Sequence, residues 1–428
     1  MNAPHNAIYL SSENTREYFS ARLLALYIVA ISGSLGTAIS AIGRLTLYST
    51  ALIVLLLHWV TANKSRKSST NGFTILILLA IVYLALSISW TSVEVPAAMQ
   101  NWARQARILT IPLVYLLIRN ISEAKAVLRV FVAAQIFVVC SAWLLVFGIP
   151  VPWATAHNAQ TTYAVFGSYL EQSIYQAILI AVLWFTRDWI FGKNGKFLAI
   201  ATAGMTLVLT LGFLKGRSGH AALIGIVAFI ILSELPKKFK WTAIFAPLVV
   251  LALAIAVSGN FRDRLQQVRS EVLGYTQNSV SGPITSSGLR LKFWKASINA
   301  VVEKPILGYG VGSWRIAFAE MEHLDKPEAA LTDVDPHQMF LLWAVEGGLI
   351  GLFLHLAVLG SLLYHSRKLE QINARALQAV VLGLSISGMF NSMLIGIGIG
   401  DFFCILIGIL LSMESGNRLN KVRVAHAA

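Results

Sequence analysis

Runs of uninterrupted apolar residues recur along the whole chain, and nothing else in the sequence constrains the fold as strongly. A hydrocarbon layer about 30 Å thick is crossed by roughly 20 helical residues, and about twelve runs reach or approach that length. Among them are Ala21 to Ser40, Leu45 to Ala62, Ala106 to Ile118, Tyr169 to Phe185, His337 to Leu363, Ala376 to Leu394 and Asp401 to Met413. Composition agrees, since 13% of the 428 residues are charged where a soluble domain carries about a quarter, and mean hydropathy is +0.68. The expected fold is an all-α integral membrane protein with about 12 transmembrane helices. Met1 to Ser20 is polar and lacks a signal-peptide cleavage pattern, so the N-terminus is expected to stay attached.

The 34 Lys and Arg against 20 Asp and Glu give a net charge of +14, a value open to a nucleic-acid binder. These cations stand singly or in threes between apolar runs rather than in one patch, which excludes nucleic acid as the partner. They read instead as a topological signal. Lys64, Arg66 and Lys67; Arg119, Lys125 and Arg129; Arg187, Lys193 and Lys196; Lys237, Lys238 and Lys240; Arg367, Lys368 and Arg375; and Arg418, Lys421 and Arg423 mark the cytoplasmic side. Both termini are then cytoplasmic. Residues 1–257 are expected to hold helices 1 to 9, residues 258–336 a long, partly helical periplasmic loop, and residues 337–428 helices 10 to 12 with a cytoplasmic tail. Cys140 and Cys404 are far apart and fit neither a disulfide framework nor a zinc site.

The outer side breaks the positive-inside pattern at three places. In Gly212 to His220, Lys215 and Arg217 stand among glycines. Gly216 and Gly219 would let backbone amides approach an anion, and the guanidinium would complete a diphosphate cradle; the alternative is an arginine snorkelling from a helix end. Arg104 and Arg107 share a helical face at spacing three and fit either phosphate binding or interfacial anchoring. In Ser287 to Val302 the spacing of Leu291, Trp294, Ile298 and Val301 predicts an amphipathic helix on the bilayer or capping the bundle. Arg290 stands at its start, beside amides that favour anions. Gly308, Gly310 and Gly312 after Pro305 predict a turn and lack the spacing of a nucleotide fingerprint.

The sharpest candidate opens the tenth run. Asp335 is a natural N-cap and Pro336 suits the first helical position, which puts His337 in the first turn, where the helix dipole favours the neutral imidazole of a general base. Glu346 lies farther along the same run, in an apolar zone where an acid needs a partner.

In order along the chain, Gly216-Arg-Ser-Gly219; Arg290, Trp294, Pro305 and Gly308-Tyr-Gly310; and Pro336-His-Gln338 with Gly347-Gly348 resemble the O-antigen ligase and polymerase superfamily of bacterial envelopes. The likeness covers roughly residues 205–395, and the long outer loop is most similar to that of the ligases. Two departures stand out: the family's turn usually reads Ser-Arg-Gly, and its histidine is often followed by Asn or Ser where this chain has Gln338. The resemblance implies a glycosyl transfer on the periplasmic face of the bacterial inner membrane, from an undecaprenyl-diphosphate-linked polysaccharide donor to a lipid A core acceptor. It implies His337, Arg217 and Arg290 as the essential residues, and Lys215, Arg104 and Arg107 are candidate phosphate contacts.

A donor activated by diphosphate needs no cofactor, and no P-loop is present. Asp333-Val-Asp335 is the nearest approach to a metal pair, and Asp335 reads as a cap, so metal independence is expected. One base attacking in line implies inversion at the anomeric carbon. A polymerase would use the same donor and differ in acceptor. A transporter of lipid-linked glycan would call for repeats and midplane ionisable residues, of which Glu346 is nearly the lone example.

Overall fold

In the computed structural model the described residues are 21–61, 71–192, 195–236, 238, 245–277, 285–324 and 335–414, and every regular element among them is helical. Met1 to Ser20, Lys64, Arg66, Lys67, Lys193, Lys237, Lys240, Asp333, Arg418, Lys421 and Arg423, on which parts of the sequence reading rest, lie outside the described residues. The helices are α1 (Ala21–Ser32), α2 (Thr37–Thr61), α3 (Gly72–Leu86), α4 (Val95–Gln105), α5 (Thr110–Leu117), α6 (Ile121–Val146), α7 (Ala159–Thr162), α8 (Tyr169–Thr186) and α9 (Lys196–Gly212). They continue as α10 (Arg217–Glu234), α11 (Ala246–Val257), α12 (Gly259–Gln277), α13 (Ser286–Glu303), α14 (Trp314–Met321), α15 (Met339–Ser366), α16 (Gln371–Gly388) and α17 (Ile397–Leu411). By length and composition 5 of them, α2, α3, α6, α10 and α15, can cross a membrane, and α1, α9, α11 and α17 are shorter apolar helices. The chain is an all-α membrane protein.

Several expected boundaries move. The run Ala21 to Ser40 is not one helix, because Gly36 takes a φ of +96° that ends α1 and lets α2 begin. The fourth run opens with a 3-10 turn, Ala106–Leu109, before α5. The eleventh stops at Gly388, six residues early, and a non-helical strap spans residues 391–396 apart from the short turn Met393–Ile395. Asn391 and Ser392, which the apolar run had absorbed, lie in that strap.

Helices apolar around their circumference belong in the middle of a bundle, and α8 and α17 sit there. Residues Gln172 to Leu183 of α8 and Gly398 to Leu411 of α17 are buried throughout. Ser168 and Glu171 form a reciprocal capping box at the start of α8, so Glu171 serves the helix end. Two buried acids are ion-paired: Arg22 lies 2.7 Å from Glu123, whose carboxylate also accepts from Arg119 N at 2.9 Å, and Arg44 pairs with Asp401. Each guanidinium here meets a carboxylate that offsets its desolvation.

Outside the main core, α13 and α14 share a second cluster with α15. Phe293, Ala296 and Ala300 of α13 pack against Tyr309, Trp314, Phe318, Leu342 and Val345. This buried face differs from the predicted stripe. Leu291 and Trp294 are half-buried and Ile298 is 54% exposed, because α13 has two apolar faces and the one with small residues docks closer.

The dock is closed by backbone. Tyr309 N donates to Val345 O at 2.8 Å, Gly310 N to Glu346 O at 2.9 Å, and Leu349 N to Pro305 O at 2.7 Å. These bonds require Gly308 at φ +67° and a kink at Gly348 with φ +62° inside α15. A Cβ on Gly308 would lie 2.5 Å from Val345 O, and one on Gly348 would lie 2.2 Å from Ile306 O. The strained backbone alone costs about 1–3 kcal/mol per residue, so Gly348→Ala is expected to lower the thermal unfolding midpoint in detergent sharply. Gly360→Ala on the same helix, where a Cβ meets nothing within 4 Å, is expected to leave the midpoint unchanged or raise it slightly.

Candidate active site

Arg217 is the first residue of α10, and the glycines around it serve packing rather than ligand approach. A Cβ on Gly216 or Gly219 would fall 2.0 or 2.1 Å from Ser173 Oγ of α8, so the Gly-Arg-Ser-Gly sequence lets α10 seat against α8. This corrects the expectation that those glycines expose amides to a phosphate. The guanidinium points away from that contact. Arg217 Nη1 donates to Glu271 Oε2 of α12 at 2.9 Å and to Ser287 Oγ of α13 at 3.0 Å. Ser287 N also donates to Glu271 Oε2, at 3.1 Å. Burial by itself would raise the Glu271 carboxyl, but the hydrogen bonds from Ser287 and Arg217 outweigh it and hold the group below the usual carboxylate range. An ionised acid thus ties α10, α12 and α13 together.

Arg290 projects from the second turn of α13, a helix capped by Thr285, which accepts from Gly288 N at 3.1 Å. Its Nη2 donates to Asn391 Oδ1 in the strap at 3.3 Å. Burial, and then the neighbouring Arg217, push its pKa down from the ordinary value. Guanidinium remains charged even so, and two cations held close in a partly dry setting favour an anion between them. Both arginines line one cavity of about 360 Å³. The rest of its wall is largely apolar, with Phe261, Leu265, Val268 and Val272 of α12 opposite Leu291 and Trp294 of α13. The α12 residues recur at spacings of four, three and four, an amphipathic stripe that was readable from sequence.

His337 does not stand in the first turn of α15. That helix starts at Met339 with Gln338 as its N-cap, accepting from Leu341 N at 2.5 Å. Asp335 instead makes a local turn: its Oδ1 accepts from His337 N at 2.7 Å and from Ser392 Oγ of the strap at 2.6 Å. His337 takes a left-handed φ of +51°, uncommon for a residue other than glycine and a feature that clusters at functional sites. The imidazole Nδ1 lies 3.6 Å from Asp335 Oδ1, beyond a hydrogen bond. Its plane tilts over Phe293 at 6.1 Å between centroids, beside the α13 turn that carries Arg290.

The fold therefore brings Arg217 and Arg290 together on one cavity wall, to which His337 does not belong; His337 is linked to them through Asp335, a charged neighbour of Arg290 that accepts from its backbone. Lys215 is half-buried and is not part of the cavity wall. Arg104 and Arg107 lie elsewhere, in the last turn of α4 and in the 3-10 turn that follows, so they do not share one regular α-helical face as expected. Glu346 is buried and accepts from Gln105. Among the described residues no three His, Cys, Asp or Glu side chains group as metal ligands. Sequence reasoning missed Glu271, Ser287, Asn391 and Ser392. The polar Asn-Ser pair inside an apolar run was the available signal for the last two.

Residues 198–356, from α9 into α15, match the family model described as O-antigen ligase, and they contain Arg217, Arg290 and His337. A protein of Haemophilus influenzae, itself described as uncharacterized, is 25% identical over 212 residues, covering 49% of this chain and 52% of that protein. The chain thus spans about half the length of that curated relative. The matched segment supports membership of the O-antigen ligase/polymerase superfamily.

Proposed function

We propose that this protein is an O-antigen ligase of the bacterial inner membrane, with both termini cytoplasmic and its site facing the periplasm in the unit formed by residues 258–336 and the bundle ends beside it. The donor is a polysaccharide on undecaprenyl diphosphate and the acceptor a sugar of the lipid A core. One observation carries the reading: two arginines from different helices line one largely apolar cavity, and the neighbour of one of them, Asp335, holds the backbone of a histidine. An isoprenoid chain suits the Leu265, Val268 and Leu291 wall, and its diphosphate suits the arginines.

In the reaction, His337 takes the proton of the acceptor hydroxyl as that oxygen bonds to the anomeric carbon. The bond from this carbon to the diphosphate oxygen breaks on the far side, and the electron pair leaves with undecaprenyl diphosphate, whose charge Arg217 and Arg290 stabilise. Asp335 steadies the imidazolium that forms. Nothing in this sequence of events calls for a metal or a cofactor.

A reconstituted assay with EDTA, donor and lipid A core tests the assignment. Wild type is expected to make ligated product, His337→Ala to lose about 10²–10⁴-fold, and Arg290→Gln about 10²–10³-fold. Lengthened lipid-linked glycan in place of ligated product would establish the polymerase reading instead. Comparing anomeric configuration in donor and product by NMR is expected to show inversion, and retention would require a covalent intermediate. Ser392→Ala removes a bond to Asp335 and is expected to lower kcat about 10-fold or more through mispositioning with KM little changed, while Ser392→Thr restores most of the rate.

A further inference from the structure

A second group of cations lies at the other end of the 391–396 strap, where α17 begins. Arg107 donates to Ile395 O, and Arg44, on α2, reaches Ile397 O at 3.5 Å as well as Asp401. The charged neighbours of Arg107 are Arg44, Arg104 and Asp401. Arg44 and Arg107 thus flank the Asp401 carboxylate, and Arg104 stands as a third cation beside Arg107, an excess of positive charge. Arg104 makes no hydrogen bond or ion pair among the described residues, so packing does not explain its charge.

Access to this group is from the bilayer. Ile42 and Leu45, on either side of Arg44, are 59% and 70% exposed, and such a surface on a membrane protein contacts lipid tails. The group is separate from the donor cavity, whose wall contains none of the three arginines. It is nonetheless joined to the histidine: Arg107 holds Ile395, and Ser392, three residues earlier, holds Asp335.

We infer that Arg44, Arg104 and Arg107 form a binding site for the phosphate of a membrane-anchored acceptor lipid, which enters laterally from the same leaflet as the donor. The inference rests on the proposed transfer reaction for its word "acceptor", but the site itself does not. A tetrahedral phosphate takes bidentate contacts from guanidinium, and a lipid anchor explains why the cluster opens toward tails rather than water. Asp401 keeps Arg44 oriented between binding events.

The experiment has a binding arm and a kinetic arm, both with full-length protein. In nanodiscs of neutral phosphatidylcholine, wild type is expected to bind diphosphorylated lipid A core, read by native mass spectrometry, and Arg104→Gln to bind it about tenfold more weakly, the scale of one charge-assisted contact. Lipid A core stripped of its phosphates is expected to bind both proteins equally and weakly. Equal binding of the phosphorylated lipid by wild type and Arg104→Gln would overturn the site whatever the enzyme does. In the transfer assay, Arg104→Gln is expected to raise KM for the acceptor about tenfold and leave kcat and donor KM unchanged. A raised donor KM would assign Arg104 to the donor. Inorganic pyrophosphate is expected to compete with donor and not with acceptor; competition with acceptor at equal potency to the lipid would mean a site for free anion and would overturn the lipid assignment. If binding depends on Arg104 while wild type transfers nothing to any acceptor, the site stands and the transferase reading falls.

Discussion

The backbone contact between the 305–310 turn and the kink at Gly348 decides how rigidly α13 and α14 are carried by α15. Three amide-to-carbonyl bonds cross it, and no side chain is interposed, since a Cβ on either glycine would overlap backbone atoms. Side-chain contacts can repack by rotamer changes, but a backbone ladder has one register. The position of α13, and with it Arg290, is therefore set relative to the start of α15, where His337 precedes the helix. Catalysis by positioning tolerates errors of only a fraction of an ångström, and a ladder of this kind supplies that tolerance more surely than the aromatic cluster of Phe293, Trp314 and Phe318 beside it.

Around that frame the arginine-lined cavity is held together by an acid. Glu271 bridges Arg217 and Ser287 and its carboxyl is held below the usual range, so α10, α12 and α13 are tied together without a ligand. Among the described residues Arg290 has only the neutral Asn391 Oδ1 as its hydrogen-bond acceptor, which leaves it open to an incoming charge. Arg217 is ion-paired with Glu271, whereas Asp335 and Glu271 act on Arg290 without a direct bond among the described residues. Net positive charge remains at this largely apolar cavity, the arrangement an amphiphile with a diphosphate head fits.

What the sequence disclosed followed from the strength of each physical signal. Apolar runs announced helices because water-free surroundings allow little else, and Arg217, Arg290 and His337 stood out as charged or titratable groups on a side short of them. Boundaries failed where a glycine or a polar pair interrupted a run without breaking its average hydropathy, as at Gly36 and at Asn391-Ser392. The cap at Asp335 was misread because an Asx turn and a helix N-cap use the same residue and the same kind of bond; only the left-handed φ at His337 separates them. Gly216 and Gly219 were misread for a related reason, since a close approach to Ser173 and a close approach to a phosphate both exclude a side chain. Glu271 and Ser287 were invisible because their meaning lies in a contact between helices far apart in sequence.

The strap joins these parts into one geometry. At one end Asn391 meets Arg290, next to it Ser392 meets Asp335, and at the other end Ile395 and Ile397 meet Arg107 and Arg44. An in-line displacement needs the attacking hydroxyl and the departing diphosphate on opposite faces of the anomeric carbon. When both reactants are lipids of one leaflet, each brings its own phosphate, and two phosphates repel unless cations hold them apart. Two arginine groups at the two ends of a short strap, with the histidine's anchor between them, meet that requirement. The same requirement applies whether the acceptor is a lipid A core or a second lipid-linked glycan. Choice between those acceptors must then come from groups that contact sugar, not from the cations that hold phosphate.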